Sequence, residues 1–542
     1  MRHHLLLLPV VLAVAGCDDK GDTPVTPGSA TDWDDAWASE AVYGIANIDD
    51  DDADGTPDHE GDALADDEND LTALVLEPGI WDYAGNGIVR LELTGEKLRV
   101  YSDGDLLLED GDDAEISQSS LIEIEFTDTL AMGTLTLTVE NKGGEVFQTA
   151  EIPAMSAPLL LNNHMQDAEL VVAMSDTSAA GNTAFTDGFA DVLGDRFRAV
   201  GLRTYQYDVW VQDEIEFGTM TSPDHRVDLV IDSVRNNNGR GLDNFPEDEF
   251  EAPDFVRKTW GDARASSQDS FGNMEVSPPV TVDGVEYPFG RIYWGEAFGS
   301  GPRDADLLAS LNAQKAQAPF QLDVSFLCVG HVDEFTTFLP DSSSPKGFRL
   351  YVTDTALAWE LLASVDPGYE LPRYGADKGY DTVQDILDDA ALAALNDEIQ
   401  ADYLDPALEV LKAELGLDDD DIVKMPMLFE ETSGCGGANA AFFPGTVNMS
   451  VATLPGESTT HVFMPDPFFR QDTALTDSAR SEDPFIDYIE GILPPNVEPH
   501  WLDDWDWYHM MLGEVHCGSN TVRTPAEDSW WDSAMHLIGD DQ

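Results

Sequence analysis

Four short segments carry side chains that could act together on a substrate. His516-Cys517-Gly518-Ser519-Asn520, near the end of the 542-residue chain, supplies a thiol. Trp210-Val211-Gln212-Asp213-Glu214-Ile215-Glu216, Ser270-Phe271-Gly272-Asn273-Met274-Glu275 and Gly330-His331-Val332-Asp333-Glu334 supply an imidazole and a set of carboxylates. A thiolate is a strong, polarizable nucleophile, an imidazole such as His331 exchanges protons near neutral pH, and a carboxylate pair such as Asp213 and Asp333 holds a planar cation by charge-assisted hydrogen bonds. Cysteine usage points the same way. Four cysteines are present, and setting aside Cys17, which belongs to the N-terminal segment, leaves Cys328, Cys435 and Cys517. An odd remainder in an exported chain marks a thiol kept free for chemistry, here Cys517. Cys328 lies in the apolar run Val324-Ser325-Phe326-Leu327-Cys328-Val329 and reads as a buried structural thiol, while Cys435 lies in the loop Ser433-Gly434-Cys435-Gly436-Gly437. A disulfide between these two stays open.

In this order and with these separations, the four segments resemble the catalytic domain of the peptidylarginine deiminases, calcium-dependent enzymes that convert arginine side chains of proteins to citrulline. The resemblance continues through Val276-Ser277-Pro278-Pro279-Val280, Lys346-Gly347-Phe348-Arg349-Leu350, Glu414-Leu415-Gly416-Leu417 and Ala441-Phe442-Phe443-Pro444, and covers residues 157–542. It implies an α/β fold of the pentein type, a five-bladed α/β propeller, although the sequence itself shows no clear internal repeat. It also implies roles. Cys517 would attack the guanidinium carbon and His331 would serve as acid and then base. Asp213 and Asp333 would hold the substrate cation. Gln212, Glu216 and Glu275, with main-chain oxygens of Phe271 and Met274, would form one calcium site, and Glu214, Asp232, Ser233 and Asn236 another. These ligands are oxygen, the type a hard cation selects, and the sequence offers no His/Cys constellation for zinc. Trp210 would pack along the arginine stem, and Arg240, or Arg235 in its place, would contact substrate main chain. Met511 stands where several family members carry another arginine, so main-chain recognition is expected to be weaker or different.

Composition bounds the rest. With 27 Lys+Arg against 106 Asp+Glu and a formal net charge of −79, the chain is a poor partner for nucleic acid or an anionic membrane face and would attract cations. A 42% hydrophobic content is enough to build cores. Arg2 and the apolar run 5–15, ending in Val14-Ala15-Gly16-Cys17, read as a secretory signal peptide over residues 1–17 that resembles a bacterial lipobox. Export, lipidation of Cys17 and membrane contact through that anchor alone follow as expectations.

Residues 18–40 read as a polar tether. Within 41–156, Asp50, Asp52, Asp54 and Asp58 fit a D-x-D-x-D-G-x-x-D calcium loop, with Glu60, Asp62 and Asp66 available to close the shell. Position 61, where an EF-hand would place its glutamate, is Gly61. Alternating segments such as 89–93, 121–126 and 135–139, separated by turns such as Asp103-Gly104, predict an immunoglobulin-like β-sandwich. Beyond residue 157 the pattern becomes α/β, with buried strands at 170–174 and 227–231, a helix over 382–401 capped by Thr382, and another over 406–415. The function expected is calcium-dependent hydrolysis of protein arginine to citrulline. The competing readings are a small-molecule guanidine hydrolase and a non-catalytic calcium-dependent binding module.

Overall fold

The computed structural model describes residues 40–50, 56–60, 70–77, 79–84, 87–234, 241–261, 266–297 and 303–539. The fold is mixed α/β. Its N-terminal part follows directly from period-two patterning: in Ile88–Thr94 the residues Val89, Leu91 and Leu93 are buried while their neighbours face outward. That strand pairs antiparallel with Met132–Glu140 and Asp113–Ile116, and Val146–Ser156 and Val42–Gly44 extend the sheet to five strands. A second sheet holds Thr72–Ala73, Ile122–Phe126, Leu98–Ser102 and Asp105–Leu108. Leu91 and Leu135 of the first sheet share one apolar core with Val100, Ile124 and Phe126 of the second. The hairpin Leu98–Ser102 to Asp105–Leu108 turns at Asp103 and Gly104, both with positive φ, as an Asp-Gly turn requires.

Five sheets in the rest of the described chain obey one pairing rule, in which a central strand has an antiparallel partner on one side and a parallel partner on the other. Arg226–Asp232 lies between Ile215–Thr221 and Phe255–Thr259, and Ile292–Glu296 between Met274–Val276 and Phe320–Asp323. Phe348–Asp354 lies between Thr336–Pro340 and Ile422–Pro426, and Thr460–Pro465 between Ser450–Thr453 and Val497–Leu502. In these four the antiparallel strand comes first in sequence. The fifth closes across the chain: Ala168–Ser175 takes Phe197–Gly201 as its parallel neighbour and the distant Ser519–Arg523 as its antiparallel one. Parallel neighbours need a crossover, and helices such as Thr183–Leu193, Ala305–Ala313 and Pro484–Ile492 supply it.

Two expectations change. The helix predicted over 382–401 is interrupted: Val383–Leu387, closed by a capping box at Thr382, stops before Asp389, whose carboxylate caps a new helix, Ala390–Ile399, by accepting from the N–H groups of Ala391 and Leu392. That helix then continues without a break into Asp405–Leu415 through a π-helical turn, Gln400–Leu404. Pro406 has no N–H to offer the preceding turn, and the helix widens just before it. Cys328 is not a free thiol either. The bridge pairing of Leu327 with Asn439, with the Cys328 N–H donating to the Asn439 carbonyl at 2.7 Å, brings the two loops together in a Cys328–Cys435 disulfide, Cα to Cα 5.4 Å. No helix among the described residues is long and apolar enough to cross a membrane.

Candidate active site

Each of the five sheets contributes to one site from the same place, the few residues that enter its antiparallel strand. Asp213 lies in the helical turn Val211–Glu214 before Ile215, and Gly272 in the 3-10 turn Phe271–Asn273 before Met274. His331 caps, and Asp333 occupies, the turn Val332–Glu334 before Thr336. Asn448 precedes Ser450, and Cys517 precedes Ser519. Hydrogen bonds lock the entries together: the Gln212 N–H donates to the Cys517 carbonyl at 3.2 Å, and Asn448 Nδ2 donates to the Asp333 carbonyl at 3.2 Å.

The catalytic quartet expected from sequence is brought together and buried. Cys517 Sγ lies 3.5 Å from Asp333 Oδ2, and His331 Nδ1 lies 3.5 Å from Asp213 Oδ1. Gly272 ties the two pairs, because a Cβ at that position would stand 2.8 Å from His331 Nδ1, 3.1 Å from Asp333 Oδ2 and 3.3 Å from Asp213 Oδ1. Any side chain there would fill the space on which the three groups converge. His331 Nε2 contacts the Ser267 carbonyl at 2.9 Å; a carbonyl only accepts, so Nε2 carries the proton and Nδ1 is the nitrogen that faces Asp213. Glu334 Oε1 accepts from the N–H groups of His331 and Gly330 at 2.9 and 3.1 Å and holds the turn. Trp210 packs against Gly513 so closely that a Cβ there would meet its ring at 2.3 Å, and it meets Tyr508 edge-on.

Asn448 was not evident from sequence. Its Nδ2 donates to Cys517 Sγ at 3.3 Å, while its Oδ1 accepts from the backbone N–H groups of His516 at 2.9 Å and Cys517 at 3.2 Å. One amide thus sets the course of the loop and offers a donor to the sulfur. His516, which precedes Cys517 in sequence, donates from Nδ1 to Asp333 Oδ2 at 2.9 Å. Electrostatics around the thiol are adverse: burial first, then the charges of Asp333 and Asp213, push Cys517 well above the ordinary thiol range. Burial also opposes a charged His516, but Glu275 and Asp333 outweigh it and raise this imidazole to about 9.

The first expected metal set assembles against this site. Gln212 Nε2 donates to Glu216 Oε2 at 2.8 Å and approaches the Phe271 carbonyl at 3.4 Å, and Gln212, Glu216 and Glu275 line one polar cavity. Burial, then the charge of Glu275, raises Glu216 to about 8; burial is also the main cause that raises Glu275 to about 7. Two half-buried carboxyls, the charge of one raising the other, beside a main-chain oxygen, suit a hard divalent cation. Of the second set, Glu214 is buried, Asp232 is raised by burial to about 7, and the Ser233 N–H donates to the Glu214 carbonyl at 2.8 Å. Asn236 lies outside the described residues, as do Arg235, Arg240, Asp52, Asp54 and Cys17.

In the acidic loop, among the described residues, carboxylates of Asp49, Asp58 and Asp70 gather within 4.8 Å of one another; Asp58 belongs to the predicted set, while Asp52 and Asp54 lie outside the described residues. The Asp58 N–H donates to the Asp49 carbonyl at 2.9 Å, a contact that turns the loop back on itself. His164, Glu275 and His516, far apart in sequence, also offer one ligand atom each within 4.8 Å of one another.

Comparison with known proteins bears on the same residues. The family model described as protein-arginine deiminase matches residues 149–532. The chain belongs to the protein-arginine deiminase family. Among relatives, it is similar to protein-arginine deiminase type-1 of Mus musculus, 38% identical over 338 residues, 60% of this chain and 48% of that protein. It is 35% identical to type-3 of Homo sapiens over 365 residues, 65% of this chain and 52% of the relative, and 36% identical to human type-4 over 336 residues, 60% and 48%. The chain therefore spans about half the length of the curated deiminases it matches. Cys517, His331, Asp213 and Asp333 all lie inside the matched residues.

Two outcomes follow from this geometry. Removing the amide donor with Asn448→Ala should move the pH profile of Cys517 alkylation upward and slow it at least about threefold at neutral pH, because one hydrogen bond to the thiolate is lost. Asn448→Asp, which keeps the acceptor for both N–H groups but adds a charge beside the sulfur, should be slower still; a rate equal to the parent chain's would show that Asn448 only shapes the loop. The second concerns Glu216 and Glu275. Both are raised in the folded state, so their contribution to stability is full below the unfolded value near 4.5 and is lost as pH rises through about 7 to 8. Thermal melts of metal-free protein should fall in Tm across that window, and calcium should flatten the fall.

Proposed function

We propose that this chain is a calcium-dependent protein-arginine deiminase that hydrolyses peptidyl arginine to citrulline and ammonia. The observation that carries the reading is the convergence of Cys517, Asp333, His331 and Asp213 on the open space at Gly272. Two buried carboxylates on that space suit a planar cation, and the same charges that keep the Cys517 thiol neutral at rest would be offset when a guanidinium enters. Asn448 and the cation at His516 then favour the thiolate.

Cys517 Sγ attacks the central guanidinium carbon, and the thiol proton passes by way of His331 Nδ1 to the departing nitrogen. The C–N bond breaks, ammonia leaves, and a cationic thiouronium ester remains on the sulfur. Water then attacks the same carbon as His331 takes its proton. Collapse of that adduct breaks the C–S bond, His331 returns the proton to sulfur, and citrulline departs with the surplus proton released to solvent. Asp213 and Asp333 hold the guanidinium and its adducts by hydrogen bonds throughout, and the Ser267 carbonyl fixes the imidazole tautomer. Gln212, Glu216 and Glu275 with the oxygens of Phe271 and Met274 would hold one calcium, and Glu214, Asp232, Ser233 and Asn236 another. When bound, the metal neutralises the paired carboxyls and steadies the turn that carries Asp213.

The reading extends to the whole chain. Residues 157–542 would form a five-bladed pentein propeller, supported by the five sheets with one pairing rule, and residues 41–156 an acidic segment and immunoglobulin-like domain, supported by two sheets around one core. Trp210, with Arg240 or Arg235, would receive the substrate, and the 1–17 segment would export the protein and anchor it through Cys17.

Citrulline release from a blocked arginine peptide, free arginine and agmatine, with and without calcium, tests the proposal. Activity should require calcium, vanish in Cys517→Ala, and need more calcium in Glu275→Gln, which lacks one charged ligand. Full turnover by metal-free protein, or by the folded Cys517→Ala variant, would refute it. The peptide should have the higher kcat/KM by at least about tenfold, the worth of roughly one good hydrogen bond, because it offers main-chain contacts that the small molecules lack. Preference for free arginine or agmatine would move the chain to small-molecule hydrolysis.

A further inference from the structure

Beside Cys517, His164 joins two residues of the site just described in an arrangement of its own. His164 follows the strand Leu160–Leu161, far in sequence from His516, yet the two rings meet edge to face with centroids 6.4 Å apart. Glu275 completes the group, and one ligand atom from each of the three lies within 4.8 Å of the others. All three line a polar cavity of about 30 Å³, room for one or two waters or a bare ion.

One nitrogen of each ring is held by a neighbour, which leaves the other for a metal. His164 Nδ1 contacts the Phe338 carbonyl at 2.9 Å, and since a carbonyl only accepts, the proton lies on Nδ1 and Nε2 is left as the lone-pair donor. His516 Nδ1 likewise bonds Asp333 Oδ2 at 2.9 Å; its Nε2, 3.6 Å from Glu275 Oε1, bears a proton in the imidazolium and gives it up to solvent when a metal binds. Imidazoles whose far nitrogens are anchored by a carbonyl and a carboxylate are the usual surroundings of a metal-binding histidine pair. Two imidazoles, one carboxylate and space for a water match the ligand number and type of zinc, whereas calcium prefers oxygen throughout. Zinc bonds of about 2.0–2.1 Å require the three donors to draw in by roughly an ångström, within reach of side-chain adjustment.

We propose that His164, Glu275 and His516 form a site for zinc or a similar borderline divalent ion, and that this ion antagonises calcium because both claim Glu275. The binding site stands on its own residues; the antagonism rests on the calcium assignment made above. Zinc held there withdraws a carboxylate from the calcium set and immobilises His516, which in turn holds Asp333 beside Cys517.

Titration calorimetry with zinc chloride on the metal-free Cys517→Ala chain tests this without the competing thiol. Zinc should bind, His164→Gln in the same background should weaken it at least about tenfold, and calcium affinity should stay within about twofold. Gln keeps an N–H for the Phe338 carbonyl, and a cobalt(II) visible band lost in His164→Gln gives an independent readout. Saturating calcium should raise the apparent zinc Kd, and Glu275→Gln should weaken both ions. Equal zinc affinity with and without His164 overturns the site. Zinc binding that depends on His164 but ignores bound calcium overturns the antagonism. If zinc binds through His164 while calcium does not bind at all, the zinc site stands and the calcium reading of the function fails.

Discussion

Everything near Cys517 is organised by negative charge that has been taken out of water. Asp213, Asp333, Glu216 and Glu275 are gathered in a small volume, and desolvation raises the two glutamates, Glu216 further under the charge of Glu275. Such an arrangement is unfavourable by itself and becomes favourable when cations enter. Four positive charges are matched to it: the imidazolium of His516 on Asp333, Arg523 behind Glu216 and Glu275, and the divalent cation and guanidinium that the proposed function would bring. Arg523 illustrates the balance, since burial lowers it to about 10 while both glutamates pull it up.

The fold makes this gathering geometrically possible by repetition. Five sheets place the start of their antiparallel strand in the same region, so that turns separated by hundreds of residues deliver Asp213, Gly272, His331, Asp333, Asn448 and Cys517 to one another. Short helical turns suit the task, because they end in a backbone direction that the following strand fixes through its ladder. Asn448 holds the last of these turns against the third, and the chain-closing strand Ser519–Arg523 anchors the nucleophile two residues after the sulfur. Buried polar groups that each have several partners, as Asn448 does, leave the loop little freedom to take another course.

Much of the chemistry could be read from the chain itself. Cys517, His331, Asp213 and Asp333 are chemically specific types embedded in distinctive neighbours, and with Gln212, Glu216 and Glu275 they lie in segments whose resemblance to one family singled them out; the structure brings the first four together and the last three into one cavity. Strands such as 170–174 and 227–231 and the Asp103-Gly104 turn were legible from local pattern, since side-chain alternation and turn chemistry are local. The interrupted helix after Thr382 was less so: Asp389 as a cap and Pro406 as the origin of a π turn compete with an apolar periodicity that runs straight through both.

What tertiary structure alone decided was adjacency between unlike segments. The fivefold pairing rule left no visible sequence repeat, because each sheet fills its core with different residues and only backbone pairing is shared. Asn448 looks like any loop asparagine until its amide is seen on Cys517. Cys328 and Cys435 became partners only through the bridge at Leu327 and Asn439, and Asp49 and Asp70 joined Asp58 only when the acidic loop folded back. His164 and Glu275 meet His516 from segments far apart in the chain. Composition and spacing report what a residue can do, but ligand sets and proton partners depend on distances of a few ångströms, and these are set by packing between elements far apart in the chain.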